Sequence, residues 1–350
     1  MKAVILVGGE GSRLMPLTMS TPKPVVPVVN RPFLGHVIAG LRRSGVTGVV
    51  LASGYIPSAI EDRVAGFGGP GFPIAYSAED APLGTAGAVK LAERHLDGAF
   101  IVLNGDIYAD LDIEAMVAFH RSRGAKATIA LTWVSNPSAF GVVEADEDGR
   151  VSRFVEKPPL HAAASHWINA GVYVLEPELL DMVPPGVPYM FERGLFPSLL
   201  KGGIPVYGYR MDGYWLDMGA PGQYLKLNRD LLLGTARSPL LDPFAADEVR
   251  AEGPTQVHES ARLVGPVLMG EGCRVAKEAV VRGPVVLGSG CSVGEGAAVE
   301  DAVLWEGVEV GRGAWVSRAV LGNGTKIGEG VRVSDTALVG HMARVTIADV

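Results

Sequence analysis

Cysteine is almost missing from this chain, with two among 350 residues. That count excludes a disulfide-built scaffold and a cysteine-rich zinc site, and it predicts a reduced, cytoplasmic protein. Long apolar runs are missing too. Nothing approaches the ~18 consecutive apolar residues that a bilayer span needs, and the first residues lack the charged, apolar and small-residue pattern of an export signal. Positive charge is in short supply: 31 lysines and arginines stand against 38 aspartates and glutamates, a net charge of −7. With no broad basic surface, neither nucleic acid nor an anionic membrane is an expected partner. The seven histidines show no metal-ligand spacing, and no serine, histidine and aspartate suggest a covalent nucleophile.

What the chain does have is apolar content, 48% of residues against 20% charged. That indicates well-buried cores, in a length sufficient for two domains. Apolar runs at Ala3–Val7, Gly48–Ala52, Ala99–Leu103 and Ala127–Trp133 read as strands. Between them, Pro32–Ser44 and Thr85–Leu96 carry apolar residues at three- and four-residue spacing, as amphipathic helices do. Buried strands separated by helices predict a Rossmann-like α/β domain over 1–233, its mostly parallel sheet covered on both faces. Ligands of such sheets sit at the carboxyl ends of the strands.

The first strand runs into Gly8-Gly9-Glu10-Gly11-Ser12-Arg13-Leu14, with Lys23-Pro24 following. A glycine-rich turn lets backbone N–H groups approach an anion, and Arg13 and Lys23 add two cations. The combination suits a polyphosphate. It is not a P-loop, since no lysine lies between Gly8 and Ser12, nor a dinucleotide fingerprint, since Leu14 stands where a third glycine would fall. From these residues alone, a plain packing turn remains an equal alternative.

After Leu233 the pattern changes. Residues 234–256 show no sustained period and read as a linker. Beyond them, apolar residues recur every six positions from Val257 through Leu263, Met269, Val275, Val281, Leu287, Val293 and Val299. After a step of five the series continues at Leu304, Val310 and Val316, and after another at Leu321, Ile327, Val333, Val339 and Val345. Such a period belongs to a parallel β-helix whose coils stack each aliphatic residue over the last, here over 257–350. Cys273 and Cys291, one 18-residue coil apart, should then lie one above the other as a buried, reduced pair.

The run LVGGEGSRLMPLTMSTPKPVVPVVNRP resembles the signature of the sugar-nucleotide pyrophosphorylases, nucleotidyltransferases that join a sugar 1-phosphate to a nucleoside triphosphate. Met15 departs from the pattern, since many relatives carry a second arginine there. The hexads resemble the left-handed β-helix tails common in this family. The resemblance implies Mg²⁺-dependent transfer with Arg13, Lys23, Asp106, Lys157 and Asp217 as catalytic residues. Asp106, in Asn104-Gly105-Asp106, and Asp217, in Trp215-Leu216-Asp217-Met218-Gly219, would be the metal carboxylates. Leu6, Gly8, Gly9, Gly11, Ser12, Asn104 and Gly105 would meet the nucleotide. In Pro82-Leu83-Gly84-Thr85-Ala86-Gly87, Gly84 and Thr85 are the base-side candidates, with Thr85 as a helix cap the plainer alternative.

The sugar phosphate is implied to meet Gly141, Glu156, Lys157 and Asn169. A salt bridge between Glu156 and Lys157 is not expected, because strand neighbours point to opposite faces. Within the family the likeness is to mannose-1-phosphate guanylyltransferases with a β-helix tail, which implies GTP and mannose 1-phosphate as substrates and GDP-mannose as product. Glucose-1-phosphate thymidylyl-, uridylyl- or adenylyl transfer and a non-catalytic sugar-nucleotide-binding homologue are the alternatives. Acyl transfer by the β-helix, with His258 or His341 as base, is less favoured than a role in assembly, because exposed hexad edges predict a homo-oligomer. Deleting 257–350 should therefore alter assembly or stability more than the chemical step.

Overall fold

The computed structural model describes residues 1–9, 11–53, 58–338 and 344–345. The chain divides into two compact units, both discontinuous in sequence: Met1–Gly9 with Val37–Leu216, and Glu10–His36 with Asp217–Val350.

The first unit is built on a nine-stranded sheet. Its strands are β1 (Ala3–Leu6), β2 (Val49–Ser53), β3 (Ile74–Ala78), β4 (Phe100–Asn104), β5 (Ala127–Trp133), β6 (Gly141–Ala145), β7 (Val151–Glu156), β8 (Trp167–Leu175) and β9 (Val206–Arg210). The main path is β7-β6-β8-β4-β1-β2-β3, and β5 joins β8 to β9. Pairing is parallel from β4 through β1 and β2 to β3, and again between β5 and β9. Strand β8 reverses, running antiparallel to β4, β5 and β6. The central strands are continuous apolar runs because both faces are covered: Ala3, Val4 and Ile5 are fully buried, as are Val50, Leu51 and Val102 to within 1%. Helices stand where the spacing predicts them, at Phe33–Arg43 and Gly84–Leu91. Leu6 is level with both Ala52 and Asn104, so the chain leaves β1 and β4 at the same edge. No helix among the described residues is long and apolar enough to cross a membrane.

In the second unit the hexads stack in parallel register. One column runs Val257, Val275, Val293, Val310, Ile327, Val345. Another runs Leu263, Val281, Val299, Val316, Val333. The third runs Met269, Leu287, Leu304, Leu321 and then Leu338. The spacing had put Val339 there; the last described coil repeats the shorter step of the coil before it, and Val339 and His341 lie outside the described residues. The first parallel strand, Val249–Ala251, already pairs with Val267–Met269 inside the segment that reads as a linker. Cys273 and Cys291 are free, fully buried and in adjacent coils. Their thiols donate to the carbonyls of Gly288 at 3.1 Å and Trp305 at 2.9 Å.

The same unit holds the signature segment from Gly11 onward. Helix Pro221–Leu232 buries Tyr224, whose hydroxyl donates to the Pro27 carbonyl and accepts from Trp305 Nε1 at 2.8 Å. Asn228 Oδ1 accepts from the Val29 N–H at 2.8 Å. Asn30 donates to Glu252 and to the Leu287 carbonyl, and Arg31 pairs with Glu252 at 2.7 Å. His36 is buried between the Val28 carbonyl and the Ser238 hydroxyl. A carbonyl only accepts, so Nε2 carries the proton and Nδ1 accepts from Ser238.

Burial lowers the His36 pKa to about 4, with Arg31 adding to the shift against the Val28 bond. The unfolded chain then binds a proton at higher pH than the folded one. His36 should contribute stability that is full above pH ~6.5 and lost as pH falls toward 4, about 3 kcal/mol in all. Urea melts of His36→Gln against the parent across pH 4–7.5 check this: the variant should lose much of the acid slope.

Candidate active site

At the carboxyl edge of the first unit's sheet, Gly8 and Gly9 follow β1, and a side chain at either would meet nothing within 4 Å. Packing does not require glycine there, so the backbone faces open space. Asn104-Gly105-Asp106 ends β4 beside it. Gly105 donates its N–H to the Leu6 carbonyl at 2.8 Å, and a Cβ on Gly105 would come within 2.4 Å of that oxygen. Only glycine lets the two strand ends approach so closely, and Asp106, half-buried, is carried on the turn that results. Asn104 Oδ1 is buried with no hydrogen-bond partner, an acceptor of the kind that a bound donor would satisfy.

The sugar-side residues lie in the same unit. Lys157 does not follow the strand alternation. Strand β7 ends at Glu156, and Lys157 turns to a φ of 50°, which swings its side chain back to its neighbour. Its ammonium then stands 3.6 Å from Glu156 Oε1, correcting the expectation that the two diverge. Gly141 is paired directly with Glu156, and a Cβ on it would strike Phe154 at 2.5 Å and Glu156 Oε2 at 3.0 Å. Glycine there leaves room first for the Phe154 ring and then for that carboxylate. Asn169 donates to the buried Tyr173 hydroxyl at 2.8 Å and accepts from the Gly171 N–H at 2.9 Å. The amide is therefore oriented, with one N–H and one lone pair left for a ligand. Trp215 supports the same turn, donating to the Ala170 carbonyl at 2.9 Å and meeting Phe140 edge to face.

Around Gly84 the helix begins differently from the sequence expectation. Its first residue is Gly84, with φ 71° and the Tyr189 carbonyl 2.9 Å from where a Cβ would stand. That carbonyl accepts from the N–H groups of Ala86 and Gly87 at 3.0 Å each. Glu79 Oε2 accepts from the Leu83 N–H at 2.5 Å. Thr85 is thus inside the helix rather than its cap. Its hydroxyl accepts from the Phe191 N–H at 2.9 Å and donates to Glu192 Oε2 at 3.2 Å.

In the second unit, Gly11 takes φ 63° and opens a short 3-10 turn, Ser12–Leu14, that buries Leu14 and leaves Ser12 and Arg13 exposed. Thr18 steadies it by donating to the Gly11 carbonyl at 2.9 Å. Lys23 begins another such turn, Lys23–Val25. Arg13 Nη1 lies 3.8 Å from Asp217 Oδ2. Gly219 lies against both, and a Cβ there would come within 3.0 Å of Asp217 Oδ1 and 3.1 Å of Arg13 Nη1. The glycine two places after the aspartate is what lets the guanidinium approach it. Arg13 is 69% exposed, so the pair adds little stability and is open to exchange for a more strongly charged ligand. His258, the other candidate of the β-helix, sits on an exposed corner and bonds Ser260.

Glu192, Tyr173, Trp215 and the Tyr189 carbonyl hold these motifs in place, and the sequence reading did not single them out. Trp215 had a signal, two places before Asp217 in a recognised motif; the others are assembled only by the fold.

Residues 2–233 match the sequence model of the nucleotidyl transferase family, and residues 248–349 that of the EIF2B subunit epsilon LbH domain. The chain is 37% identical over 278 residues to a mannose-1-phosphate guanylyltransferase of Mycobacterium tuberculosis, covering 78% of this chain and 76% of that one. It is 38% identical over 293 residues to a probable mannose-1-phosphate guanylyltransferase 2 of Arabidopsis thaliana, covering 79% and 75%. Among solved structures, HddC from Yersinia pseudotuberculosis is similar at TM-score 0.56 and 28% identity, over 65% of this chain and 97% of that chain. A candidate glucose-1-phosphate thymidylyltransferase from Bacillus anthracis, in complex with a sucrose, is similar at TM-score 0.57 and 26% identity, over 65% and 94%.

Proposed function

This chain belongs to the nucleotidyl transferase family and is a sugar-1-phosphate nucleotidyltransferase, and on that premise we propose that it joins GTP to mannose 1-phosphate, giving GDP-mannose and pyrophosphate. The observation that carries the sugar phosphate side is the Glu156–Lys157 pair. One place offers a carboxylate for ring hydroxyls and an ammonium for the phosphate. GTP and mannose are supported by the names of the relatives rather than by a contact.

A phosphate oxygen of the sugar attacks the α-phosphorus in line, and the bond from that phosphorus to the oxygen bridging to the β-phosphorus breaks. Pyrophosphate leaves with that oxygen. The attacking phosphate is already ionised, so positioning and positive charge dominate over acid–base work. Arg13 and Lys23 serve the triphosphate, helped by the backbone around Gly8, Gly9, Gly11 and Ser12. Lys157 holds the sugar phosphate, and Glu156 with Asn169 orients the ring. The family resemblance assigns the ion to Asp106 and Asp217, one from each unit. Both are hard oxygen donors of the kind that suits Mg²⁺, which takes one or two carboxylates and fills its remaining positions with phosphate oxygens and water. When bound, the ion would neutralise charge developing on the phosphates.

Exposed valines on the first coil, Val249, Val257 and Val264, support self-association through the β-helix. The test of function is pyrophosphate release with Mg²⁺ across GTP, dTTP, UTP and ATP, each with mannose 1-phosphate and glucose 1-phosphate. GTP with mannose 1-phosphate should give the highest kcat/KM. A preference for dTTP with glucose 1-phosphate would favour the second reading, which the Bacillus anthracis neighbour supports.

A further inference from the structure

Glu192 has no part in the chemistry described above, yet the fold holds it with unusual care. It sits in a single π-helical turn, Phe191–Leu195, that leads into the helix Phe196–Lys201. Such turns are rare and are frequent at functional sites. Both ends of the turn's first residue are fixed. The Phe191 N–H donates to Thr85, and its ring packs on Tyr173 with centroids 5.2 Å apart. Tyr173 is the residue whose hydroxyl orients the Asn169 amide. The turn therefore ties the Gly84-Thr85 motif to the sugar-side turn at Asn169.

The Thr85 hydroxyl has one proton. Because its oxygen accepts from Phe191, that proton is directed to Glu192 Oε2. A carboxylate offers about four acceptor positions, and Thr85 uses one of them. Burial raises the Glu192 pKa, against its own backbone N–H; the Glu156 charge raises it further, while Thr85 and Lys157 oppose. Glu192 is therefore electrostatically coupled to both members of the sugar-phosphate pair.

We propose that Glu192 is a specificity-determining acceptor for a hydroxyl of the sugar ring, acting beside Glu156 and Asn169, and that Thr85 is its positioning residue rather than a contact to the base. The inference rests on the reading of this chain as a sugar 1-phosphate enzyme. It assigns the turn at 191–195 to recognition of the sugar, and it predicts that the Gly84-Thr85 motif influences the sugar through a hydroxyl-to-carboxylate relay.

The experiment is steady-state kinetics of the full chain and of Glu192→Gln, Glu192→Asp, Thr85→Val and Thr85→Ser, with thermal melts of each. Glu192→Gln should raise the KM for mannose 1-phosphate at least tenfold and shift that for GTP less than twofold. Selectivity for mannose over glucose 1-phosphate should fall about tenfold as well. Thr85→Val should move the same parameters less, and Thr85→Ser should restore them. A rise in GTP KM equal to that for the sugar in Glu192→Gln would overturn the proposal. So would a Thr85→Val effect confined to GTP, or unchanged sugar kinetics in a folded variant. Should Glu192→Gln not fold, Glu192→Asp and Thr85→Val decide by the same split. Inactivity of the parent with every substrate pair would refute the enzymatic reading itself, a different result from an active parent indifferent to Glu192.

Discussion

Asp217→Asn should lower kcat by about three orders of magnitude, some 4 kcal/mol of transition-state stabilisation, with little change in melting temperature. The substitution keeps shape and removes one negative charge. Two consequences follow from the position of Asp217 on the exit of the Trp215–Asp217 strand. On the proposed reading, a hard, anionic donor for Mg²⁺ is replaced by a neutral amide. The guanidinium of Arg13, 3.8 Å away, also loses the charge that shares its orientation. The Arg13–Asp217 pair is too long and too exposed to matter for stability, so a folded, inactive protein is the expected outcome. Asp106→Asn should behave alike. Activity assays over a Mg²⁺ titration, beside circular dichroism melts, check both; near-normal turnover in either variant would remove that carboxylate from the metal proposal.

Trp305→Ala should be the most destabilising single change in the second unit. Trp305 is buried to 2%, meets the Tyr224 ring edge to face, and donates to the Tyr224 hydroxyl. Truncating a buried tryptophan costs about 3–5 kcal/mol. On a unit of this size that corresponds to a drop of roughly 10 °C in melting temperature. The effect should not stop at stability. Tyr224 passes its own hydrogen bond to the Pro27 carbonyl, so loosening Tyr224 loosens the segment that follows Lys23. The KM for the nucleotide should rise several-fold in Trp305→Ala and less in Trp305→Phe. A melt that moves while nucleotide KM stays constant would show that the loop keeps its shape without this support. The same bonds change the forecast for removing residues 257–350. Leu287 and Trp305 would go with the tail, and Asn30 and Tyr224 would each lose a partner.

What could be read from the chain beforehand was whatever is local. The six-residue period needs only one coil to state itself, and the structure stacks Val275 on Val293 and Leu287 on Leu304 accordingly. Apolar strands and glycine turns were equally plain, since strand burial and backbone approach are written in consecutive residues. Arg13 and Asp217 are separated by some two hundred residues, and only the motif at each end marks them. Strand alternation does not carry to Lys157, because the chain leaves the strand at that residue. Glu192 left no trace in the sequence. Its role depends on a π-turn, a threonine from another helix and an aromatic contact to strand β8, none of which has a sequence period.

The signature segment is held by the helix Pro221–Leu232 and by the first coils of the β-helix. This has a bearing on how such proteins can be recombined. A chimera cut at the apparent seam near residue 233 would give the signature loop of one parent to the solenoid of another. Asn30 and Arg31 would then meet a foreign surface in place of Glu252 and Leu287. Exchangeable parts of this chain are therefore not consecutive stretches. A working graft has to transplant residues 11–36 together with everything after Leu216, as a single heritable module that another domain interrupts in sequence.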